Sequence, residues 1–232
     1  MFDHGRMARP LVLAPRSRAD ARHTVDQLRE RMRGMQDGIP RLPVATAPEL
    51  AGLVDLRTGD AYGVDGTSLA LALMAPPSRA GGWTALVGVD DLGVEAAAEA
   101  GLDLDRTVVV PEPGDHWLEV TAALVDVLPM LLLRPPTGVS RRTAERLGAR
   151  LRKRSTTLLV QGPWPGCAAR LSVAESRWTG ADDGHGRLRA REVVIACRRG
   201  TAPTLHVTLW LPAANGPLRR VEDAPEQVRG TG

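Results

Sequence analysis

The chain has 232 residues and a formal net charge of +3, with 43% hydrophobic and 25% charged residues. This balance is typical of a soluble domain with an apolar core. No apolar run reaches the roughly 20 residues of a membrane-spanning helix, and residues 1–9 lack the apolar centre of a signal peptide, so we expect a cytoplasmic protein without membrane contact. Cys167 and Cys197 have no Cys or His at metal-ligand spacing, which favours reduced thiols over a disulfide and predicts no metal site.

The first predicted element is an amphipathic helix over residues 17–37. Its apolar stripe recurs at three- and four-residue spacing and comprises Val25, Leu28, Met32 and Met35. A linker rich in proline follows, so residues 1–48 are predicted to form a helical arm. The stripe has two interpretations that the sequence leaves open: packing on its own domain, or self-association with a second copy.

From residue 49 to residue 211 short apolar runs alternate with helical patterns, which predicts one core domain. The predicted strands are Leu53–Arg57, Thr84–Val89, Thr107–Val110, Met130–Arg134 and Thr156–Val160, and the predicted helices are Ser68–Ala75, Gly93–Ala100, Trp117–Leu128 and Ser140–Arg154. Continuous apolar strands are typical of a parallel sheet buried on both faces. The sequence therefore predicts an α/β fold with a mostly parallel twisted sheet flanked by helices.

Beyond Cys167 the helical period disappears and β-rich runs take its place. These runs are Leu171–Thr179, Leu188–Arg198 and Leu205–Leu211, and the turns between them predict an antiparallel extension of the same sheet at its C-terminal side. Residues 212–232 are polar and rich in Pro and Gly, which predicts a flexible C-terminal tail.

A degenerate phosphate-binding loop is predicted before the first core helix. A working loop needs glycine amides, a lysine on the phosphates and a hydroxyl on the magnesium ion. The loop is predicted to comprise Ala61, Gly63, Asp65, Gly66, Thr67 and Ser68, with Thr67 at the lysine position and a carboxylate, Asp65, inside the loop. The chain's single lysine, Lys153, lies far away in sequence. We therefore expect no ATP binding, no cofactor and no catalysis.

Several segments resemble the RecA family. The resemblance covers about residues 53–211 and is carried by Ala80-Gly-Gly-Trp-Thr-Ala-Leu-Val, Ala98-Glu-Ala-Gly-Leu-Asp-Leu-Asp-Arg-Thr-Val-Val, Arg152-Lys-Arg with Thr157-Leu-Leu-Val, and the block 171–211. It implies a RecA-like core. The chain departs from the family at the catalytic glutamate, which falls near Val89 or Asp90, and at the Walker B aspartate, replaced by Arg134. Gln161 lies close to the family's sensor position.

A diverged RecA core with an N-terminal arm and an arginine-rich composition resembles the actinobacterial ImuA family. This resemblance implies an accessory role in the DNA-damage-induced mutasome of the SOS response, in translesion synthesis and mutagenesis. Implied partners are the Y-family polymerase homologue ImuB and, through it, an error-prone replicative polymerase and the sliding clamp, with RecA and single-stranded DNA as further candidates. Two alternatives stay open: a cell-division inhibitor resembling SulA, and a weak ATPase with an unorthodox loop.

The sharpest candidate surface is the predicted helix Ser140–Arg154. Seven basic residues crowd it, while Ala144, Leu147 and Leu151 form an inward stripe and Ser140 is a predicted N-cap. The basic residues are Arg141, Arg142, Arg146, Arg150, Arg152, Lys153 and Arg154. They predict contact with DNA or an acidic partner, or else a solvated helix face. Trp164, in a Pro- and Gly-rich turn, is interpreted as a cap on the core or as an anchor for a partner.

Overall fold

The computed structural model describes residues 39–136, 138–182, 185–213 and 216–221, without the side chains of residues 181–182 and 185–187. The predicted arm residues Val25, Leu28, Met32 and Met35 lie outside the described residues, as does the end of the predicted tail from residue 222. No helix within the described ranges combines the length and apolar character needed to cross a bilayer.

The described residues form a mixed α/β fold around one nine-stranded sheet with the order β3-β2-β4-β5-β1-β6-β7-β8-β9. Strands β1 to β5 pair in parallel, and β6 pairs in parallel with β1. From β6 to β9 every pairing is antiparallel. The strands are β1 (Ala61–Val64), β2 (Thr84–Val87), β3 (Thr107–Val110), β4 (Met130–Leu133), β5 (Thr157–Gln161), β6 (Ala169–Asp182), β7 (His185–Arg198), β8 (Leu205–Trp210) and β9 (Arg219–Arg220). The predicted parallel sheet with an antiparallel C-terminal extension is confirmed.

Within the described ranges, four α-helices cover the two faces of the parallel part of the sheet. They are α1 (Thr67–Arg79), α2 (Val94–Ala100), α3 (Trp117–Val125) and α4 (Arg141–Arg154). Buried residues of α1 and α2 join one apolar cluster, and those of α3 and α4 join the other. Within one strand the two faces alternate: Leu86 belongs to the first cluster, while Ala85 and Val87 belong to the second. The strands are thus buried on both sides, as their continuous apolar runs indicate.

The prediction of a first strand at Leu53–Arg57 is wrong. Residues 48–50 form a 3-10 turn and residues 51–53 a further turn, and Arg57 makes only an isolated bridge with Pro43. Leu53 and Leu56 are nevertheless buried in the first cluster, so their apolar pattern reflects packing of an irregular segment onto the sheet. The first strand is Ala61–Val64, inside the segment predicted as a loop.

Several other boundaries differ from the predictions, and two of the differences concern prolines in a helix and a strand in the predicted tail. Helix α1 continues through Pro76 and Pro77 to Arg79, although each proline removes a backbone donor; the prediction ended this helix at Ala75. Strand β9 lies inside the predicted tail and pairs with β8 through Leu209 and Trp210. The sheet therefore extends into residues that composition alone predicted to be a tail.

Candidate functional site

The carboxyl ends of the parallel strands meet where an open α/β sheet binds its ligands. In this chain β1 is joined to α1 by a turn of only two residues, Asp65 and Gly66. Gly66 has a φ of 84°, in the left-handed region that favours glycine. Ala61 and Gly63 belong to strand β1 rather than to a loop, and Thr67 and Ser68 belong to the first turn of α1. The residues predicted to form a phosphate-binding loop therefore do not form one.

Arg134 occupies the centre of this edge of the sheet. Its guanidinium donates to Gln161 Oε1 (2.8 Å), to Asp90 Oδ1 (3.1 Å) and to Thr67 Oγ1 (3.2 Å). It also forms an ion pair with Asp91 (2.8 Å). The residue directly follows β4, and its backbone N–H bonds to the Val87 carbonyl of β2 (2.8 Å). A fixed guanidinium thus links the end of β4 to the end of β5, to the first residue of α1 and to the segment between β2 and α2.

Gln161 closes the network from the neighbouring strand. It is the last residue of β5, is 8% exposed, and stands opposite Val64 in the register. Its amide Nε2 donates to Thr67 Oγ1 (3.1 Å) while its Oε1 accepts from Arg134. Arg134, Gln161 and Thr67 therefore bond to one another in a closed triangle. Thr67, the residue at the predicted lysine position, here contacts a protein cation.

A second arginine neutralises the carboxylate of the turn. Arg170, on β6, lies 3.6 Å from Asp65 and donates to the Gly162 carbonyl (2.9 Å). Its guanidinium packs over Gly63, where an added Cβ would come within 2.7 Å of the arginine Cζ. Gly63 therefore serves close packing in a strand, and Asp65 is paired within the protein.

The chemistry of this edge is that of paired charges. Two arginines, Arg134 and Arg170, face three carboxylates, Asp65, Asp90 and Asp91. The hydrogen bond from Arg134 lowers the pKa of Asp91, which makes this carboxylate a poor proton acceptor at neutral pH. Over the described ranges, no group of three or more His, Cys, Asp or Glu side chains is arranged to hold a metal ion.

The basic helix predicted from the sequence is α4, and its local structure follows the prediction. Ser140 is the N-cap, with its Oγ accepting from the Thr143 N–H (3.1 Å). The inward stripe Ala144, Leu147 and Leu151 is buried, which orients the opposite face outward. Three basic residues in the last turn also complement the helix dipole.

Four of the seven predicted basic residues line one groove. Arg146, Arg150, Lys153 and Arg154 line an open groove between α3 and α4, whereas Arg141, Arg142 and Arg152 lie outside it. Arg152 packs against the backbone at Gly59 on the side of the sheet, and Arg141 pairs at 4.0 Å with Glu145 on its own helix.

Asp126 ties the two helices of this groove together. It is the C-cap residue of α3, and its carboxylate accepts from Arg150 Nε (2.7 Å), Arg150 Nη2 and Arg154 Nε (3.1 Å). The bond from Arg150 lowers the pKa of Asp126 to about 2. Sequence reasoning missed this residue because it is 24 positions from Arg150 and carries no local motif.

Trp164 is 7% exposed and belongs to the second apolar cluster. The core-cap interpretation therefore fits its position, and the interpretation as a partner anchor lacks the exposed ring that it requires. Cys167 and Cys197 are both free, and burial raises the pKa of each thiol, which keeps them protonated and unreactive.

Two comparisons with known proteins bear on this chain. A family model described as the MT3502 N-terminal domain matches residues 49–166, about half of the chain. The uncharacterized protein Rv3395c of Mycobacterium tuberculosis is 37% identical over 139 residues, which are 59% of this chain and 64% of that protein. The match thus spans less than two thirds of the length of this relative. The family match begins just before the irregular segment at Leu53 and ends after β5, so it includes the Arg134 network and the groove.

Proposed function

Because the chain belongs to the MT3502 N-terminal domain family, we propose that it is a non-catalytic accessory protein of the ImuA type. In this proposal a RecA-like core supports error-prone translesion synthesis in the cytoplasm, as part of the DNA-damage-induced mutasome. Its partner is an ImuB-type homologue of the Y-family polymerases, and the error-prone polymerase and the sliding clamp are reached through that partner.

One observation carries the non-catalytic part of the proposal. The guanidinium of Arg134 fills the place at the strand ends where the resemblance to RecA puts a magnesium-binding aspartate, and it bonds to Thr67 and Gln161. A cation fixed there repels magnesium. The two-residue turn before α1 is shorter than the glycine-rich loop that cradles the phosphates in a phosphate-binding loop. Both features support a protein that acts through its surfaces.

The mutasome part rests on the resemblance of the residues to ImuA proteins, and the mycobacterial relative is compatible with an actinobacterial family. Copurification tests it. A tagged full-length chain should retain the ImuB-type homologue encoded in the same genome through a wash in moderate salt. A chain lacking residues 222–232, which keeps strand β9, shows whether the segment after the sheet contributes. Retention of a tubulin-like septum protein in place of the ImuB-type homologue would favour the SulA-like alternative.

Titration calorimetry with magnesium and ATP tests the absence of a nucleotide site. We expect no binding by the wild-type chain and none by a Thr67→Lys variant, since a lysine alone does not lengthen the turn. Micromolar binding by the wild type would overturn the non-catalytic proposal and favour a weak ATPase. Binding by Thr67→Lys alone would mean that the missing lysine, and not the short turn, prevents binding.

A further inference from the structure

The groove between α3 and α4 combines an apolar floor with a basic rim. It encloses about 390 Å³ and is lined on its floor by Leu118, Ala122 and Leu147. Leu147 is buried, whereas Leu118 and Ala122 are partly exposed. Its basic rim consists of Arg146, Arg150, Lys153 and Arg154, all on α4. Apolar contact and positive charge are therefore available to one ligand at the same time.

The rim has a surplus of positive charge that the groove does not neutralise. Four cations face a single carboxylate, Asp126, which Arg150 and Arg154 share. Arg146 and Lys153 have no ion partner within the described part of the chain. Since they are seven positions apart on one helix, they lie on the same face about 10 Å from each other. Two spaced positive charges thus remain for an acidic ligand.

The lining distinguishes between two classes of acidic ligand. Proteins that bind single-stranded nucleic acid stack its bases on aromatic rings, and no Phe, Tyr or Trp lines this groove. Phosphates would also leave the apolar floor without a partner. An amphipathic helix with acidic flanks satisfies the floor and the rim together, because helices dock in such grooves through residues spaced at i, i+4 and i+7 and complementary charges select the partner.

We propose that the α3–α4 groove docks an acidic amphipathic helix of a partner protein. The apolar residues of that helix contact Leu118 and Ala122, and its flanking carboxylates pair with Arg146 and Lys153. This inference goes beyond the proposed function, because it assigns a surface and a ligand chemistry whichever protein supplies the helix.

Fluorescence anisotropy with a labelled peptide tests the proposal on the full chain. The probe is a designed helix of about five turns with Leu along one face and Glu on both flanks, and its control is a scrambled peptide of the same composition. We expect the amphipathic peptide to bind at least ~10-fold more tightly than the scramble, because only the former presents one apolar face.

Charge-reversal variants locate the binding. Arg146→Glu combined with Lys153→Glu should weaken binding of the amphipathic peptide at least ~10-fold, since like charges then face each other. Arg141→Glu makes the same type of change on a face of the same helix that is turned away from the groove, since Arg141 is about 140° around the helix from Arg146, and it should alter binding less than ~2-fold. Circular dichroism verifies that each variant is folded. An Ala122→Asp variant tests the floor and should weaken binding by a similar factor.

Three results would overturn the proposal. The first is equal affinity for the amphipathic and scrambled peptides, which would mean that the rim acts only as a diffuse positive charge. The second is tight binding of an oligothymidylate of about 20 nucleotides that the groove variants abolish, together with no peptide binding. The third is a sedimentation coefficient of the chain alone that the groove variants change while peptide binding is absent, which would assign the groove to a second copy. None of these readouts depends on ATP or on the ImuB-type homologue, so this proposal and the proposed function can fail separately.

Discussion

Replacement of Arg134 by alanine is the most informative test of the network at the strand ends. The substitution removes the donors to Gln161, Asp90 and Thr67 and the ion pair with Asp91 in one step. Gln161 keeps its own bond to Thr67. Its Oε1 loses its protein donor in a position that is 8% exposed.

The lost hydrogen bond to Gln161 sets the expected decrease in the free energy of unfolding. A buried acceptor left without a donor costs about 1–3 kcal/mol of stability. The side chains of Asp90 and Asp91 are 65% and 66% exposed, so water replaces the lost guanidinium there at little cost. We therefore expect Arg134→Ala to lower the free energy of unfolding by about 1–3 kcal/mol. Arg134→Lys should lose nearly as much, because an ammonium cannot reproduce the forked geometry.

Urea denaturation followed by circular dichroism measures these changes, with Arg142→Ala as the control for loss of an exposed arginine. A double-mutant cycle with Gln161→Ala should give a coupling energy of about 1 kcal/mol, since the two residues are in contact. An Arg134→Ala variant whose unfolding free energy equals that of Arg142→Ala within about 0.5 kcal/mol would refute the role assigned to the network.

Three further predictions concern other parts of the described structure. Tyr62→Phe should cost about 1 kcal/mol in urea denaturation, because the buried phenol accepts from a main-chain amide and donates to the Asp55 carbonyl. Asp126 has a pKa of about 2 in the folded protein, against 3.8 ordinarily; it therefore contributes stability above about pH 4 that is lost as the pH falls toward 2, and Asp126→Asn should remove this part of the acid sensitivity in a pH-dependent denaturation series. Gly88→Ala should destabilise more than Gly52→Ala in thermal denaturation: both glycines have positive φ, but only at Gly88 does an added Cβ meet a carbonyl oxygen, that of Arg134, at 2.2 Å.

Each of these has an outcome that would contradict it. A Tyr62→Phe variant as stable as the wild type would mean that water satisfies the freed amide. A stability difference between wild type and Asp126→Asn that stays constant from pH 6 to pH 2 would contradict the lowered pKa. Equal losses at Gly88 and Gly52 would show that the backbone conformation, and not the close approach, sets the cost.

The parallel sheet was predictable because its strands are short continuous apolar runs, and β3 was predicted with its observed bounds. The failure at β1 has a physical cause. Leu53 and Leu56 are as apolar as strand residues and equally buried, yet they pack without a strand neighbour. Strand β1 contains Gly63, a residue type that predicts a turn, but here this glycine lies within the strand and the guanidinium of Arg170 packs over it. Hydrophobic pattern indicates burial, and it does not by itself indicate pairing.

The site was less predictable than the fold. The sequence placed Arg134 near the expected nucleotide site as a departure from the family pattern, and Gln161 close to the family's sensor position. Their bonds join residues 27, 67 and 94 positions apart, and only the strand order brings them together. The basic residues of α4 were predicted as one group. In the structure, only four of them line the groove between α3 and α4. Which cations of α4 face the groove depends on α3, and above all on Asp126, whose partners are 24 and 28 positions away.

The two-residue turn between β1 and α1 limits how this chain can be redesigned or can diverge. A substituted side chain can be restored by a single point mutation, and each such mutation can restore one contact of a binding site. A point mutation cannot lengthen the turn. The strand and the helix on either side of Asp65 and Gly66 are fixed in the core, and one inserted residue would not form an anion-binding nest of backbone amides. Under the proposed function, nucleotide binding would require a multi-residue insertion together with removal of Arg134. A library that varies side chains alone therefore leaves the length of this turn unchanged, whereas insertions between Val64 and Thr67 change it.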